Sequence, residues 1–571
     1  MNRMSRAADS FAADHESALK IESLLSNELV GDPQMREPRQ PVRAALWQSS
    51  RFNRKEFSHL SQEDQSLFEI FGHGPLVRPR HDTIHSGFER YAAEQPDAVA
   101  IEHLGSSLTY GELEAQSNRL ARILLSHGVG RGDAVALYLQ RSIEMVVGII
   151  ATLKTGAAYI PQHVGVAPSE TLEHIAGVTG AKVTLTLSAL REQIPADDKR
   201  ACLAIDEIMA EPVNADMAAS ILTEPAQPQD RCLILFTSGT TGVPNGVQVT
   251  HRNLCNILQT SPGDLGIRPG MKVAQLLSIA FDMAAWEILG CLSNGGTLVI
   301  RGKNIQEVAE QADVVIATPS ILCSLDASRC RNVKVAAVAG EPCPRPLADT
   351  WSSFCRFYNS CGPTETTIIN TAEPHYPMKP VLSIGRPTPN NTVYVLDENM
   401  RPCKIGDIGE MWAGGDCVTA GYLANRKLSD DRYRPDPFLG GRRMMFRTRD
   451  LGRWTKSGEL EHFGRVDDQV KIRGFRVELD AVSSVLETVE GCEQAVTLKY
   501  DNRNLVSFVS PANVDIAKAE QTVAAKLPYY CVPVFTIAMD ELPRTPRGKL
   551  DKRLLMKLAV DHHNKTGVRV A

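Results

Sequence analysis

The chain has 571 residues, of which 43% are hydrophobic and 23% charged, and its net charge at pH 7 is −5. These values are ordinary for a globular protein, and the charge predicts binding neither to nucleic acid nor to a membrane surface. The sequence has no apolar run of about 18 residues that would predict a membrane span, and its N-terminus lacks the apolar core of a signal peptide.

The thirteen cysteines show no CxxC pair and no Cys/His cluster at metal-binding spacing. An odd number of scattered cysteines in a long chain favours reduced thiols over a disulfide scaffold. We therefore predict a cytoplasmic protein.

Residues 1–60 are polar and aperiodic, which predicts a tail or linker. The segment SQEDQSLFEIF at 61–71 predicts a helix capped by Ser61. From Ile84 onward helix-like and strand-like segments alternate. Helices are predicted over 86–95, 109–127 and 142–155, and strands over 98–103, 135–138, 182–187 and 202–205. This order predicts an α/β architecture with largely parallel sheets.

A strand-like run at 233–236 leads into the Ser/Thr/Gly-rich loop Thr237–Gly242. Small residues and hydroxyls suit a loop that grips a polyphosphate, although the loop is not of the Walker type. The alternative is an ordinary surface turn. Further strands are predicted over 273–277, 295–300, 314–318 and 333–339, with a helix over 281–292. Ligands of parallel α/β sheets lie beyond the carboxyl ends of strands, so the strand ends after Phe236, Thr318 and Ala339 are expected near one site.

The string TSGTTGVPNGV closely resembles the phosphate loop of the adenylate-forming superfamily. Five further motifs fit the same superfamily in the same order: VAGEP at 338–342, NSCGPTETT at 359–367, FRTRDLGRW at 446–454, GELEHFGRVDDQVKIRGFRVEL at 458–479 and PRTPRGKLDK at 543–552. The last two are most similar to an adenylation domain of a non-ribosomal peptide synthetase.

The resemblance implies a large core with largely parallel sheets flanked by helices, a distorted β-barrel-like part, and a small mobile C-terminal α+β lid. It places the core at 61–463, a hinge at 464–468 with Asp467 at the pivot, the lid at 469–560 and a tail at 561–571. The lid is expected to present Lys549 to the site and then to rotate so that Gly474 covers it.

The implied reaction is attack of a carboxylate on the α-phosphate of ATP, giving an acyl adenylate and pyrophosphate. Such chemistry depends on charge neutralisation and positioning. The resemblance gives catalytic roles to Lys549, Glu365 and Thr241, with Mg²⁺ on Glu365. The nucleotide-binding residues it implies are Thr237, Ser238, Gly239, Thr240, Thr241, Gly242, Gly340, Glu341, Pro342, Asn359, Ser360, Cys361, Gly362, Thr364, Asp450, His462, Arg465 and Lys549.

Each assignment has a simpler alternative. Glu365 could be a helix-start acid, Asp450 an exposed loop acid, Arg465 half of a surface ion pair, and Lys549 a solvated lysine.

The resemblance also implies that Asp282 pairs with the α-ammonium of an amino acid, since a buried aspartate needs a partner. The rest of the implied substrate pocket is Met283, Trp286, Ile316, Ala337, Ala339, Ser360, Ile368 and Ile369, with Lys549 on the carboxylate. This lining carries no second charge, so we predict an apolar, possibly aromatic, α-amino acid. The alternative for Asp282 is a helix N-terminal acid.

Four residues depart from the family pattern. Asn245 replaces a lysine, Cys361 an aromatic residue that stacks on adenine, Arg449 a glycine, and His462 an aromatic residue. Loss of stacking should weaken nucleotide binding by about 1 kcal/mol.

The activated acyl group is expected to pass to a phosphopantetheine thiol of a carrier domain, supplied in trans or by sequence missing here. Two alternatives remain: an aryl- or acyl-CoA-type ligase, and a degenerate nucleotide-binding domain without turnover.

Overall fold

The computed structural model describes residues 52–198, 200–212, 225–239, 243–544 and 550–566. Alternating strands and helices build the α/β fold that the sequence predicts. None of the helices in these ranges combines the length and apolar character that crossing a membrane requires.

The strands, in chain order, are β1 Val99–His103, β2 Ser106–Thr109, β3 Ala134–Leu139, β4 Ala158–His163, β5 Val183–Thr186, β6 Ala201–Ala204, β7 Arg231–Thr237, β8 Asn245–Thr250, β9 Lys272–Gln275, β10 Thr297–Ile300, β11 Val314–Ala317, β12 Val335–Val338, β13 Arg356–Cys361, β14 Thr371–His375, β15 Arg386–Pro387, β16 Asn391–Leu396, β17 Gly409–Gly415, β18 Tyr433–Pro435, β19 Met444–Trp454, β20 Leu460–Arg465, β21 Gln469–Ile472, β22 Phe475–Glu478, β23 Gln494–Lys499, β24 Leu505–Ser510 and β25 Phe535–Ala538.

The α-helices are α1 Gln62–Phe71, α2 Ile84–Glu94, α3 Tyr110–Ser126, α4 Ile143–Lys154, α5 Ser169–Thr179, α6 Ile205–Ala210, α7 His251–Leu258, α8 Asp282–Leu292, α9 Ile305–Gln311, α10 Pro319–Cys323, α11 Arg345–Ser352, α12 Arg426–Arg432, α13 Leu479–Leu486, α14 Ile516–Lys526 and α15 Lys552–Thr566. Their starts follow the predicted capping signals: Ser61 caps α1, Thr109 and Glu112 form a capping box at α3, and Ser142 caps α4.

Two largely parallel sheets carry the core. One has nine strands in the order β15-β14-β13-β12-β11-β9-β10-β1-β2, and the other has six in the order β6-β5-β3-β4-β7-β8. Helix α4 contacts β1 of the first sheet and β3 and β4 of the second. Because α4 is buried along its whole length, one apolar core joins both sheets.

The part expected to resemble a distorted β-barrel is a five-stranded antiparallel sheet. Its order is β16-β17-β19-β18, with β20 paired to β19. No closed barrel forms among the described strands. The last strand, β20, runs directly into the segment predicted as the hinge.

After β20 the chain forms the hairpin β21–β22 and a three-stranded sheet, β23-β24-β25, with α13, α14 and α15. This part has apolar clusters of its own. Helix α15 continues through the predicted tail to Thr566, where His562 and His563 contact the rings of Phe535 and Tyr500. The tail expected from residue 561 is therefore helical as far as 566.

The predicted N-terminal tail also differs from the structure within residues 52–60. Phe52, Phe57 and Leu60 are buried, and the Phe57 ring lies 4.9 Å from Phe68 of α1. Phe68 in turn stacks on Tyr394 of β16. Spaced aromatic residues in a polar segment give no periodic signal, so only the packed structure shows that this stretch belongs to the core.

Replacing Phe57 with Ala should therefore lower the free energy of unfolding by about 3 kcal/mol, since a fully buried ring is removed. Chemical denaturation monitored by circular dichroism measures the change. The control is Ile70→Ala in α1, where the side chain is 63% exposed and little change is expected. Equal stability of the two variants would contradict the packing described for residues 52–60.

Candidate active site

A cavity of about 860 Å³ lies at the carboxyl ends of β7, β11, β12 and β13. Its size is that of a typical small-molecule site. Most of the predicted nucleotide and substrate residues line it: Thr237, Ser238, Gly239, Asp282, Met283, Ala339, Gly340, Glu341, Pro342, Asn359, Ser360, Cys361, Gly362, Thr364, Ile368, Asp450, His462 and Arg465. Motifs separated by more than 200 residues therefore meet in one site.

The phosphate loop leaves β7 at Thr237, which pairs with Asn245 of β8. A Cβ on Gly239 would lie 2.7 Å from the Asn245 side-chain nitrogen and 2.2 Å from the Val243 carbonyl oxygen, so a side chain has no room there. Asn425 donates to Asn245 Oδ1 at 3.0 Å. Asn245 thus offers the loop a neutral amide where the family pattern predicts a lysine. The predicted residues Thr240, Thr241 and Gly242 lie outside the described residues.

Asp450 is held by two basic side chains at the far end of the cavity. Arg465 Nη1 donates to Asp450 Oδ1 at 2.8 Å, and His462 Nε2 lies 3.4 Å from the same oxygen. Burial pushes the pKa of Asp450 upward, but His462 and Arg465 outweigh it and hold the pKa below its usual range. The carboxylate is therefore ionised at neutral pH and can accept hydrogen bonds.

Arg465 also reaches the predicted pivot. Its Nε and Nη2 donate to the two carboxylate oxygens of Asp467 at 2.7 and 3.0 Å. Arg449, at φ +62° where the family pattern predicts a glycine, lies 3.5 Å from Asp467. The departure at Arg449 thus supplies a second cation to the pivot.

Several lining groups have polar atoms without a protein partner. Glu341 accepts a bond from the Ser320 amide through Oε2, whereas its Oε1 and the hydroxyl of Ser360 are buried and unpartnered. Buried polar atoms are normally hydrogen-bonded, so these atoms fit a polar ligand such as a nucleotide. Burial raises the pKa of the Cys361 thiol to about 12, which keeps it neutral beside that ligand.

The hairpin β21–β22 enters the cavity from the C-terminal part. Ser238 of the phosphate loop donates to the Arg476 carbonyl oxygen at 3.0 Å. A Cβ on Gly474 would lie 3.1 Å from Thr318, and Phe475 packs 4.7 Å from Phe281. The Gly474 side of the lid therefore covers the site, while the predicted catalytic residue Lys549 lies outside the described residues.

Glu365 is fully buried, and its carboxylate is occupied by protein groups. Arg476 Nη1 donates to its two oxygens at 3.0 and 2.9 Å, and the Tyr422 hydroxyl donates to Oε1 at 2.6 Å. Burial opposes ionisation, but Arg476 and further donors lower the pKa of Glu365 to about 2. This arrangement does not fit a Mg²⁺ ion on Glu365, and no cluster of three metal-ligating side chains occurs within the described ranges. Binding of Mg²⁺ by Glu365 stays a prediction, and it requires Arg476 to move away from the carboxylate.

Asp282 begins α8 and faces the cavity. Burial raises its pKa, although a hydrogen bond with Thr364 and the charge of Lys471 oppose the rise. Lys471 of β21 lines the same cavity, and burial lowers its pKa while Asp282 raises it. The aspartate thus has a cation from the protein nearby, which weakens the inference that it must meet an ammonium ligand.

Four predicted pocket residues do not line the cavity. Trp286, Ile316, Ala337 and Ile369 are fully buried in the apolar core, and Trp286 donates its ring N–H to the Gly263 carbonyl at 2.6 Å. The cavity also contains cations that the prediction of an uncharged lining omitted, including Lys471, Arg141 and Arg301. Of these, Lys471 lies inside a quoted motif, whereas Arg141 and Arg301 are isolated in the sequence.

Residues 88–423 match the AMP-binding enzyme family, and this range covers more than half of the chain. The chain belongs to this family. The predicted resemblance to adenylate-forming enzymes is therefore confirmed.

Relatives of this AMP-binding enzyme include an adenylate-forming reductase and a nonribosomal peptide synthetase. An adenylate-forming reductase of Coprinopsis cinerea is 43% identical over 89% of this chain and 49% of its own length. The nonribosomal peptide synthetase sirP of Leptosphaeria maculans is 31% identical over 92% of this chain and 24% of its own length. The chain thus spans half or less of the length of these relatives.

A solved nonribosomal peptide synthetase protein that contains adenylation and PCP domains, bound to a vinylsulfonamide inhibitor, shares the fold. It superposes with a TM-score of 0.75 at 23% identity, covering 86% of each chain. The predicted α/β fold of an adenylation domain is confirmed by this similarity.

Replacing Arg476 with Gln should lower the free energy of unfolding at neutral pH by about 3 kcal/mol, because a buried carboxylate loses its cation. The folded-state pKa of Glu365, about 2, lies below its ordinary value of 4.5. The ion pair therefore stabilises the fold above about pH 4.5, and this contribution is lost as the pH falls toward 2. Denaturant unfolding at several pH values should show the deficit of the variant shrinking with acidification.

The control for this series is Arg453→Gln, which breaks the 2.6 Å pair with Glu461 at a side chain that is 39% exposed. Such a surface pair is worth under about 1 kcal/mol. A deficit of the Arg476 variant that stays constant with pH would show that the loss does not come from Glu365.

Proposed function

We propose that this chain activates a carboxylic acid with ATP, forming an acyl adenylate and pyrophosphate, and transfers the acyl group to the phosphopantetheine thiol of a carrier domain. The observation that carries the proposal is the convergence of Ser238, Asp450 and Gly474 on one cavity of an AMP-binding enzyme. The first two come from nucleotide-binding motifs, and the third comes from the lid hairpin expected at the site during transfer.

In this proposal Asp450 accepts hydrogen bonds from the ribose hydroxyls, for which its ionised state is suited. Glu341 and Ser360 supply the unpartnered polar atoms beside the nucleotide. Cys361 provides only an apolar contact to adenine, so we expect modest ATP affinity. Lys549 stabilises the charge that develops on the α-phosphate when the lid is turned the other way.

The contacts between the lid hairpin and the core support a second position of the lid in the same reaction cycle. With Ser238 bonded to the hairpin and Glu365 paired to Arg476, the groups expected around the pyrophosphate are engaged by the protein itself. The arrangement therefore suits the step after pyrophosphate has left, when the thiol approaches the acyl group.

For the acid, we favour an apolar α-amino acid, because Asp282 stands at the start of α8 beside Met283 and Ile368. The specific observation favouring an acid without an ammonium group is Lys471, which already faces Asp282 with a positive charge. The relatives named as reductases give the thioester a second candidate fate, which is reduction by a part of the protein outside this chain.

A pyrophosphate-exchange panel over amino acids and aryl acids tests the substrate class. We expect exchange with an apolar amino acid, and Asp282→Asn should lower kcat/KM for it about 100-fold, because the ammonium loses its buried partner. The control Asp326→Asn changes an exposed aspartate and should have no effect. Exchange with an aryl acid that survives Asp282→Asn would replace the amino-acid assignment.

Replacing Lys549 with Ala separates an active enzyme from a degenerate domain. We expect pyrophosphate exchange to fall at least about 100-fold, since the charge that stabilises the transition state is lost, while ATP binding measured by calorimetry changes little. The exposed Lys557→Ala in α15 serves as the control. Wild-type protein that binds ATP but exchanges no pyrophosphate with any acid would establish the degenerate alternative.

A further inference from the structure

Three basic side chains line the cavity at the carboxyl ends of strands that belong to two sheets. Arg141 follows β3, His163 ends β4, and Arg301 follows β10. Arg141 Nη2 and Arg301 Nε donate to the same acceptor, the Leu276 carbonyl oxygen, at 3.0 and 2.9 Å. One backbone oxygen thus holds two guanidinium groups side by side. We name Arg141, His163 and Arg301 the basic cluster.

The guanidinium groups of the basic cluster lack a direct counter-ion. In the described part of the chain neither Arg141 nor Arg301 makes an ion pair, although the charge of Glu287 acts on both, and Arg141 Nε and His163 Nδ1 are buried without a hydrogen-bond partner. Burial and then the neighbouring Arg301 lower the pKa of Arg141 to about 10, so the pair stays charged at neutral pH.

The acid whose charge acts on both arginines is Glu287 of α8, which does not line the cavity. Its carboxylate accepts from the Leu276 and Leu277 amides at 2.8 and 3.2 Å and from the Gln275 side chain. These donors engage Glu287 where it stands, so it forms no direct ion pair with either arginine. Two like charges held side by side repel each other, and an anion bound between them would stabilise the pair.

The basic cluster lies away from the adenine end of the cavity. Along the nine-stranded sheet, β13 with Cys361 and β10 with Arg301 are four strand positions apart, which is roughly 19 Å at the usual spacing. Thr318, which contacts Gly474, follows β11 between them. Beside the cluster the cavity lining is apolar, with Val166, Ala167 and Leu276.

The arrangement of the lid indicates which anion the cluster meets. Arg476 is paired with Glu365, and Ser238 at the start of the phosphate loop is bonded to the hairpin, while the basic cluster lines the cavity. The anion present at this stage is therefore one that arrives with the acceptor. A phosphopantetheine arm carries its phosphate at the end opposite its thiol, across an extended and partly apolar chain.

We propose that Arg141, Arg301 and His163 form a subsite for the phosphate of the acceptor's phosphopantetheine arm, so that the arm lies along the carboxyl edge of the sheet with its thiol toward Gly474. This inference rests on the proposed function, because it takes the acceptor to be a carrier thiol. It assigns Arg141, His163 and Arg301 to the acceptor rather than to the activated acid.

The test compares 4′-phosphopantetheine with pantetheine, which differs only by the phosphate. Calorimetry on the full chain should show the phosphorylated probe binding at least about 10-fold tighter, as charge-assisted hydrogen bonds predict. Arg141→Gln and Arg301→Gln should each bring this ratio close to one, and Arg301→Lys should restore part of it. Arg268→Gln removes an exposed arginine and is the matched control.

A ratio that persists in both glutamine variants overturns the subsite. A variant that weakens both probes equally also overturns it, since the phosphate would then not be the group recognised. A raised KM for pyrophosphate in the exchange reaction, with the ratio intact, would assign the cluster to pyrophosphate instead. The ratio of the two affinities is measured without turnover, so it tests the subsite even if no acid supports pyrophosphate exchange. Absence of exchange would refute only the proposed function.

Discussion

The pair between Arg476 and Glu365 is the interaction on which the arrangement of the site depends. It joins the lid hairpin to a carboxylate with no exposed surface. The bond from Ser238 to the hairpin and the contact of Gly474 with Thr318 follow from the same placement. Without Arg476, the buried carboxylate would keep the Tyr422 hydroxyl as a donor and the charge of Arg432, and the loss of a direct counter-charge from a buried pair is strongly unfavourable.

This dependence restricts how the lid can move. Because the pKa of Glu365 is about 2, the carboxylate stays ionised throughout the neutral range. An arrangement in which Arg476 leaves keeps the charge of Arg432 near Glu365 but loses the direct ion pair, so another donor or cation at the same oxygens would stabilise it. The cost of an unpaired carboxylate thus disfavours intermediate positions of the hairpin and favours two well-defined arrangements, as bistable interfaces generally do. Arg465 and Arg449, both bound to Asp467, hold the pivot between them.

Structural features that are set by neighbouring residues can be predicted from the sequence. Thr109 and Ser142 cap their helices as expected, since capping is read from neighbouring residues. The sequence does not predict that Phe52 and Phe57 pack on Phe68, or that Trp286 points into the core rather than the cavity, because both depend on packing contacts. Arg476 and Glu365 each lie in a recognisable motif, yet their pairing across 111 residues follows only from how the lid is placed.

The cavity contains two groups of charged side chains: Asp282 with Lys471, and Arg141 with Arg301. The buried carboxylate of Asp282 predicts a cationic ligand, but Lys471 within the protein is near enough for its charge to act on it. Burial of Asp282 alone therefore does not identify the group that the activated acid presents to it. Arg141 and Arg301 specify a ligand more directly, because neither makes an ion pair in the described part of the chain and Glu287 is engaged by backbone amides. Charges that the protein leaves unpaired specify a ligand more directly than charges it has already balanced.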